Sequence, residues 1–143
     1  MTVGGKDLIT GTTYTFGEYA LTLDDVLSFA ERWDPQYFHT DEAAAARGLF
    51  GGVIASGIQT IAVMQRLTVD AVYRQWRVIA GRDLREVVFV RPVRPGDVLT
   101  GWARIDEVRL DERRGRADVV LTSALTVDGE SVLTAVADVV VFA

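Results

Sequence analysis

The chain has a single histidine, His39, five residues after an aspartate in the stretch Trp33-Asp34-Pro35-Gln36-Tyr37-Phe38-His39. An imidazole held beside a carboxylate can take a proton from water and release it elsewhere near neutral pH. A lone histidine in a turn-rich segment is more often a plain loop residue, so its surroundings decide the reading. Directly downstream lie Gly48-Leu49-Phe50-Gly51-Gly52 and Ile54-Ala55-Ser56-Gly57, and the second of these opens a long apolar stretch. Glycines let backbone approach closely, and the first turn of a helix presents free N–H groups that stabilise a developing oxyanion. An acid–base pair, a close-packed loop and an oxyanion donor thus fall within residues 34 to 57.

Those residues need elements to hold them. Thr22-Leu-Asp-Asp25 carries a cap and a reciprocal acidic residue at capping-box distance, and Leu23, Val26, Leu27 and Ala30 recur at helical spacing, so the pattern predicts a helix over 22–33. Asp34-Pro35 stops it, because the residue before a proline is driven away from helical backbone angles. A second helix is expected from Thr40, with Asp41 and Glu42 in its first turn, through Ala43 to Ala46, ending at Gly48. The third, within 52–72, carries Ile58, Ile61, Ala62, Met64, Leu67 and Val69 around most of its circumference, the pattern of a core helix.

The second half of the chain reads as four strands within 83–93, 98–110, 117–127 and 131–143, each dense in β-branched residues. Arg94-Pro95-Gly96-Asp97 has the order of a type II turn and Asp128-Gly129 that of a two-residue hairpin, so the strands should run antiparallel. A helix followed by antiparallel strands implies an α+β fold in one domain over 1–143. The last strand has one charge, Asp138, between Val132 and Phe142 and no proline, so as a sheet edge it would have to be covered by a second copy.

Composition narrows the function. The net charge is -5 and the pI near 4.8, the wrong sign for nucleic acid or anionic membrane as the main partner. There is no cysteine, hence no disulfide, thiolate metal site or thiol nucleophile. The N-terminus lacks a basic-then-apolar leader and no run of 18 apolar residues occurs, so the expected location is the cytoplasm. Arg82, Arg85, Arg91 and Arg94 form the densest basic stretch; it reads as a solvated charge run, with phosphate contact as the alternative.

The combined pattern resembles the MaoC-like (R)-specific enoyl-CoA hydratases and dehydratases, which have the hot-dog fold, an antiparallel sheet wrapped around a long central helix. The residues that carry the resemblance are Asp34, His39, Asp41, the alanines 43 to 46, Phe50-Gly51-Gly52, Ile54-Ala55-Ser56-Gly57 and Arg91-Pro92-Val93-Arg94-Pro95-Gly96-Asp97. Gln36 stands where the family usually has asparagine and Tyr37 where it usually has proline; both changes leave the Asp–His pair intact. The resemblance implies that Asp34 and His39 activate a water, that the Gly57 N–H binds the thioester oxygen, and that Gln36, Tyr37, Phe50 and Ser56 touch substrate. It implies no cofactor and no metal, an acyl-CoA or acyl-carrier-protein thioester as substrate, and a homodimer or dimer of dimers. A hot-dog thioesterase and a non-catalytic subunit of a heteromeric dehydratase are the alternatives.

Overall fold

The computed structural model describes all residues, 1–143. Helix α1 spans Leu23–Trp33 and starts as its sequence dictates: the Asp25 N–H donates to Thr22 Oγ1 at 3.1 Å, and the Thr22 N–H donates back to Asp25 Oδ2 at 3.2 Å. Beyond Pro35 the expected second helix forms within its bounds, and an additional turn precedes it. A one-turn helix α2, Tyr37–Thr40, is followed by α3, Glu42–Arg47, because the Asp41 carboxylate accepts the Ala44 N–H at 3.0 Å and begins a new helix there. Helix α4, Gly57–Thr68, follows a buried extended segment and runs on into a π-helical turn, Val69–Tyr73.

Six antiparallel strands complete the chain: β1 Thr13–Thr15, β2 Tyr19–Ala20, β3 Val78–Phe89, β4 Val98–Asp111, β5 Arg116–Val127 and β6 Glu130–Phe142. Their order is β1-β4-β5-β6-β3, with β2 also on β4. Asp128 and Gly129 both have positive φ, 50° and 79°, the backbone of the tight hairpin expected between β5 and β6. Val63, Met64 and Leu67 of α4 share one core with Leu99, Leu121, Leu125 and Leu133 of the sheet, giving the α+β hot-dog architecture. No helix is long and apolar enough to cross a membrane.

Three expectations need correction. The last strand is not an edge: β6 lies between β5 and β3, and the free edge beside it is β3. That strand begins at Val78, five residues earlier than its sequence suggested, because its pairing with β6 is interrupted by three register shifts that destroy the period-two pattern. Nor is α4 buried all round. Ile58 is 57% exposed and Ala62 is exposed, while Gln59, Thr60, Val63, Met64, Leu67 and Thr68 form a single buried face.

Candidate active site

Asp34 is the residue at which α1 ends, its N–H bonded to the Ala30 carbonyl at 2.8 Å. Its carboxylate collects donors: Ser56 Oγ reaches Oδ2 at 2.7 Å and Gln36 Nε2 reaches Oδ1 at 2.7 Å. The Ser56 hydrogen bond, then that of Gln36, holds the Asp34 carboxyl below its ordinary range; burial opposes this and the nearby His39 adds to it. Asp34 is therefore ionised near neutral pH.

His39 lies on α2 and is 4% exposed. Its Nδ1 sits 2.6 Å from the Ile54 carbonyl oxygen. A carbonyl only accepts, so Nδ1 carries the hydrogen, and Nε2 is the nitrogen left for proton exchange. That nitrogen is 3.3 Å from Asp34 Oδ2. The ring is also fixed by the edge-on Phe38, with centroids 4.5 Å apart. Ile54 is tied to α2 on both sides, its N–H donating to the Phe38 carbonyl at 3.0 Å and its carbonyl accepting from His39, while the next N–H, of Ala55, reaches the Val93 carbonyl at 2.8 Å. The extended segment 53–56 is thus a strap that locks the histidine to the start of α4.

At that start, Ser56 Oγ accepts the Ile58 N–H at 3.2 Å while donating to Asp34. The Gly57 N–H has no partner within the chain. A Cβ at Gly57 would lie 2.6 Å from the half-exposed Phe89 ring, so a larger residue here needs that ring to move.

Asp34, Gln36, His39, Phe50 and Gly57 all line one open cleft of about 510 Å³. Two other residues read from the sequence do not line it. Ser56 is wholly buried behind Asp34, and Tyr37 is half exposed and packs edge-on against Phe38. Most of the remaining wall is apolar, with Ile58, Phe89, Val90 and Val132, and Thr60 and Arg91 add polar groups to it. Sequence reasoning passed over these apolar residues; the available signal was Phe89-Val90 directly before the Arg91-Pro92 motif. In the basic stretch, Arg82 pairs with Asp118 at 3.1 Å, Arg85 with Asp138 at 2.8 Å, and Arg91 with Glu130, whereas Arg94 donates to the Phe50 carbonyl at 2.7 Å. No group of three or more His, Asp or Glu side chains converges as a metal site would require.

The cleft can therefore hold a water between an oriented carboxylate and an imidazole, beside a free backbone donor and an apolar wall. Residues 7–128 match the family described as "MaoC like domain". The chain is 34% identical to the MaoC-like dehydratase from Rhodospirillum rubrum, with 96% of this chain and 94% of that one covered at a TM-score of 0.87. It is 26% identical to a chain of the truncated HadBC (3R-hydroxyacyl-ACP dehydratase) complex from Mycobacterium tuberculosis, covering 93% and 97% at a TM-score of 0.76. It is also 38% identical over 89 residues to the uncharacterized protein YdeM of Bacillus subtilis, 62% of this chain and 63% of YdeM, so the match spans less than two thirds of that relative.

Proposed function

The chain belongs to the MaoC-like domain family, and from that premise we propose that it adds water to, or removes it from, the C2–C3 double bond of an enoyl thioester, with the (R)-3-hydroxyacyl thioester as the hydrated form. The observation that supports this most is the pairing of His39 Nε2 with Asp34 Oδ2 at 3.3 Å on a cleft that also contains Gly57.

Asp34, kept ionised by Ser56 and Gln36, holds the water by accepting one of its hydrogens. A charged carboxylate with two donors is a weak base, which leaves Nε2 of His39 to accept the proton as the water oxygen bonds to C3. The π electrons move toward C2 and the thioester oxygen, whose negative charge the Gly57 N–H stabilises; one such donor is worth roughly 3 to 4 kcal/mol. The proton then passes from the pair to C2, so no net proton is gained or lost. Dehydration is the reverse path. Phe50 and the apolar wall would take the acyl chain, and the carrier is coenzyme A or an acyl carrier protein in the cytoplasm.

Similarity to a 3R-hydroxyacyl-ACP dehydratase supports this reading over a thioesterase, in which the same pair would direct water at the carbonyl carbon. Incubation with crotonyl-CoA separates the two. The expected result is loss of enoyl absorbance with no free thiol and an (R)-3-hydroxybutyryl product; thiol release without loss of the double bond, or an (S) product, overturns the proposal. The assembly we propose is a homodimer or a dimer of dimers, with β3 in place of β6 as the joining edge.

A further inference from the structure

We infer that Arg94 is a positioning residue of the cleft: its guanidinium, bonded to the Phe50 carbonyl, sets the place of the Phe50 ring and through it the fit of the acyl chain. The acyl part of this inference rests on the proposed reaction, whereas the hold on the loop does not.

The loop that carries Phe50 has little else to keep it in place. Residues 49–53 make one backbone hydrogen bond, from the Gly51 N–H to the Gly48 carbonyl at 3.2 Å, and it closes only the turn itself. Their single hydrogen bond to anything beyond Gly48 is the one that Arg94 Nη2 donates to the Phe50 carbonyl at 2.7 Å. The other guanidinium nitrogen, Nη1, lies beside Gly52, 3.6 Å from where a Cβ would stand. Gly51 has a φ of 65°, and with a second glycine after it the loop has little stiffness of its own. Leu49 at its tip is 91% exposed. Phe50, by contrast, is half-buried and lines the cleft; its ring centroid is 5.9 Å from that of Phe38, the ring that fixes His39.

The base of Arg94 is fixed independently of its side chain. Its N–H donates to Asp97 Oδ2 at 2.8 Å and its carbonyl accepts the Asp97 N–H at 3.1 Å, while the adjoining Val93 carbonyl holds the strap through Ala55. A substitution at 94 keeps all three bonds. It therefore releases the loop and leaves the strap, His39 and the start of α4 in place. The neighbouring Arg82, Arg85 and Arg91 each pair with a carboxylate, whereas the Arg94 side chain is bonded to a backbone carbonyl. A planar guanidinium presents its donors in a rigid fork, which suits one that lies along a loop backbone. Losing a binding contact without moving the acid–base pair raises KM and spares kcat.

Two measurements on the full chain test this. Chymotrypsin cuts after leucine and phenylalanine, so the rate of cutting at Leu49 and Phe50 reports how often the loop opens. Arg94→Gln should be cut there about fivefold faster or more than the wild type, the scale of one charged hydrogen bond, with circular dichroism unchanged. Equal rates overturn the inference. In steady-state kinetics on crotonyl-CoA, Arg94→Gln should raise KM by about three- to tenfold and keep kcat within about twofold. Because Arg94 acts through the Phe50 ring, the same substitution in a Phe50→Ala background should change KM by less than about twofold. A KM rise of equal size in both backgrounds would mean that the arginine meets the substrate by itself, as a cation on an anionic group, and would overturn the positioning role. A wild type that leaves crotonyl-CoA untouched would fault the proposed reaction, and the digestion would then decide the hold on the loop alone.

Discussion

Residues 34–57 and strand β3, whose last residue Phe89 lines the same cleft, are finished in opposite ways. In the first, the polar side chains at the site are tied within the chain: Asp34 to Ser56 and Gln36, His39 to Ile54, Ser56 to the helix it caps. In the second, four large apolar residues are about half exposed and two carboxylates have no cation within the chain. Internal ties such as those of residues 34–57 are what the proposed chemistry needs, because its groups must be in place before substrate arrives.

The contrast breaks if the pair is not the centre of the chemistry. Asp34→Asn and His39→Ala are each expected to lower kcat on crotonyl-CoA by about two orders of magnitude or more while circular dichroism is unchanged. Near-normal turnover in either variant would place the site elsewhere. Where the two regions touch, Gly57 faces Phe89, and Gly57→Ala would push a methyl group to 2.6 Å from the ring. Steady-state kinetics should show kcat/KM falling by up to about a hundredfold, since small misplacements at a reacting centre are costly. Adding Phe89→Ala should recover part of it; two independent, additive losses would show that the ring and the glycine are not coupled.

The same contrast explains what the sequence made legible. The cap of α1, the stop at Pro35 and the hairpin at Asp128-Gly129 depend on neighbours within four residues, and each was read correctly. The Asp34–His39 proximity was also within reach, being confined to one turn of chain. Ser56 was read as a substrate contact because its hydrogen bond to Asp34 joins residues 22 positions apart and leaves no local trace. The edge was misassigned for the same reason: which strand ends a sheet depends on β3 returning to lie beside β6. The bulges at Ile79, Arg82 and Glu86 also erased the alternation by which β3 could have been delimited.

A smaller effect sharpens the role of Ser56. It makes the largest contribution to lowering the Asp34 carboxyl. Without it the carboxyl titrates at a higher pH, and activity that requires the ionised form disappears sooner on acidification. Ser56→Ala should therefore move the acid limb of the kcat/KM profile upward, and cost about 1 kcal/mol in thermal or denaturant unfolding through the lost cap of α4. An unmoved limb would mean that the limb belongs to another group.

The smallest effect separates the two regions by the origin of their charge stabilisation. Asp34 in the site and Asp138 beneath the β3 edge are both held below the ordinary carboxyl range, the first chiefly by the Ser56 hydroxyl and the Gln36 amide, the second chiefly by the Arg85 guanidinium. A folded-state value below the unfolded one means stability that is fully present above the unfolded value, near 3.9, and is lost as pH falls through the folded one. Between about pH 5 and 3 the unfolding free energy should therefore drop, and Asp34→Asn should remove a part of that drop under about 1 kcal/mol. Asp138→Asn should remove another part. Salt tells them apart, because neutral donors are little screened at about 0.5 M while a partly exposed ion pair is weakened. Urea unfolding across this range, at low and high salt, should show the Asp34→Asn difference unchanged and the Asp138→Asn difference shrinking. Equal salt sensitivity in both would mean that Asp34 takes its stabilisation from charge, with His39 in place of Ser56 as the main source.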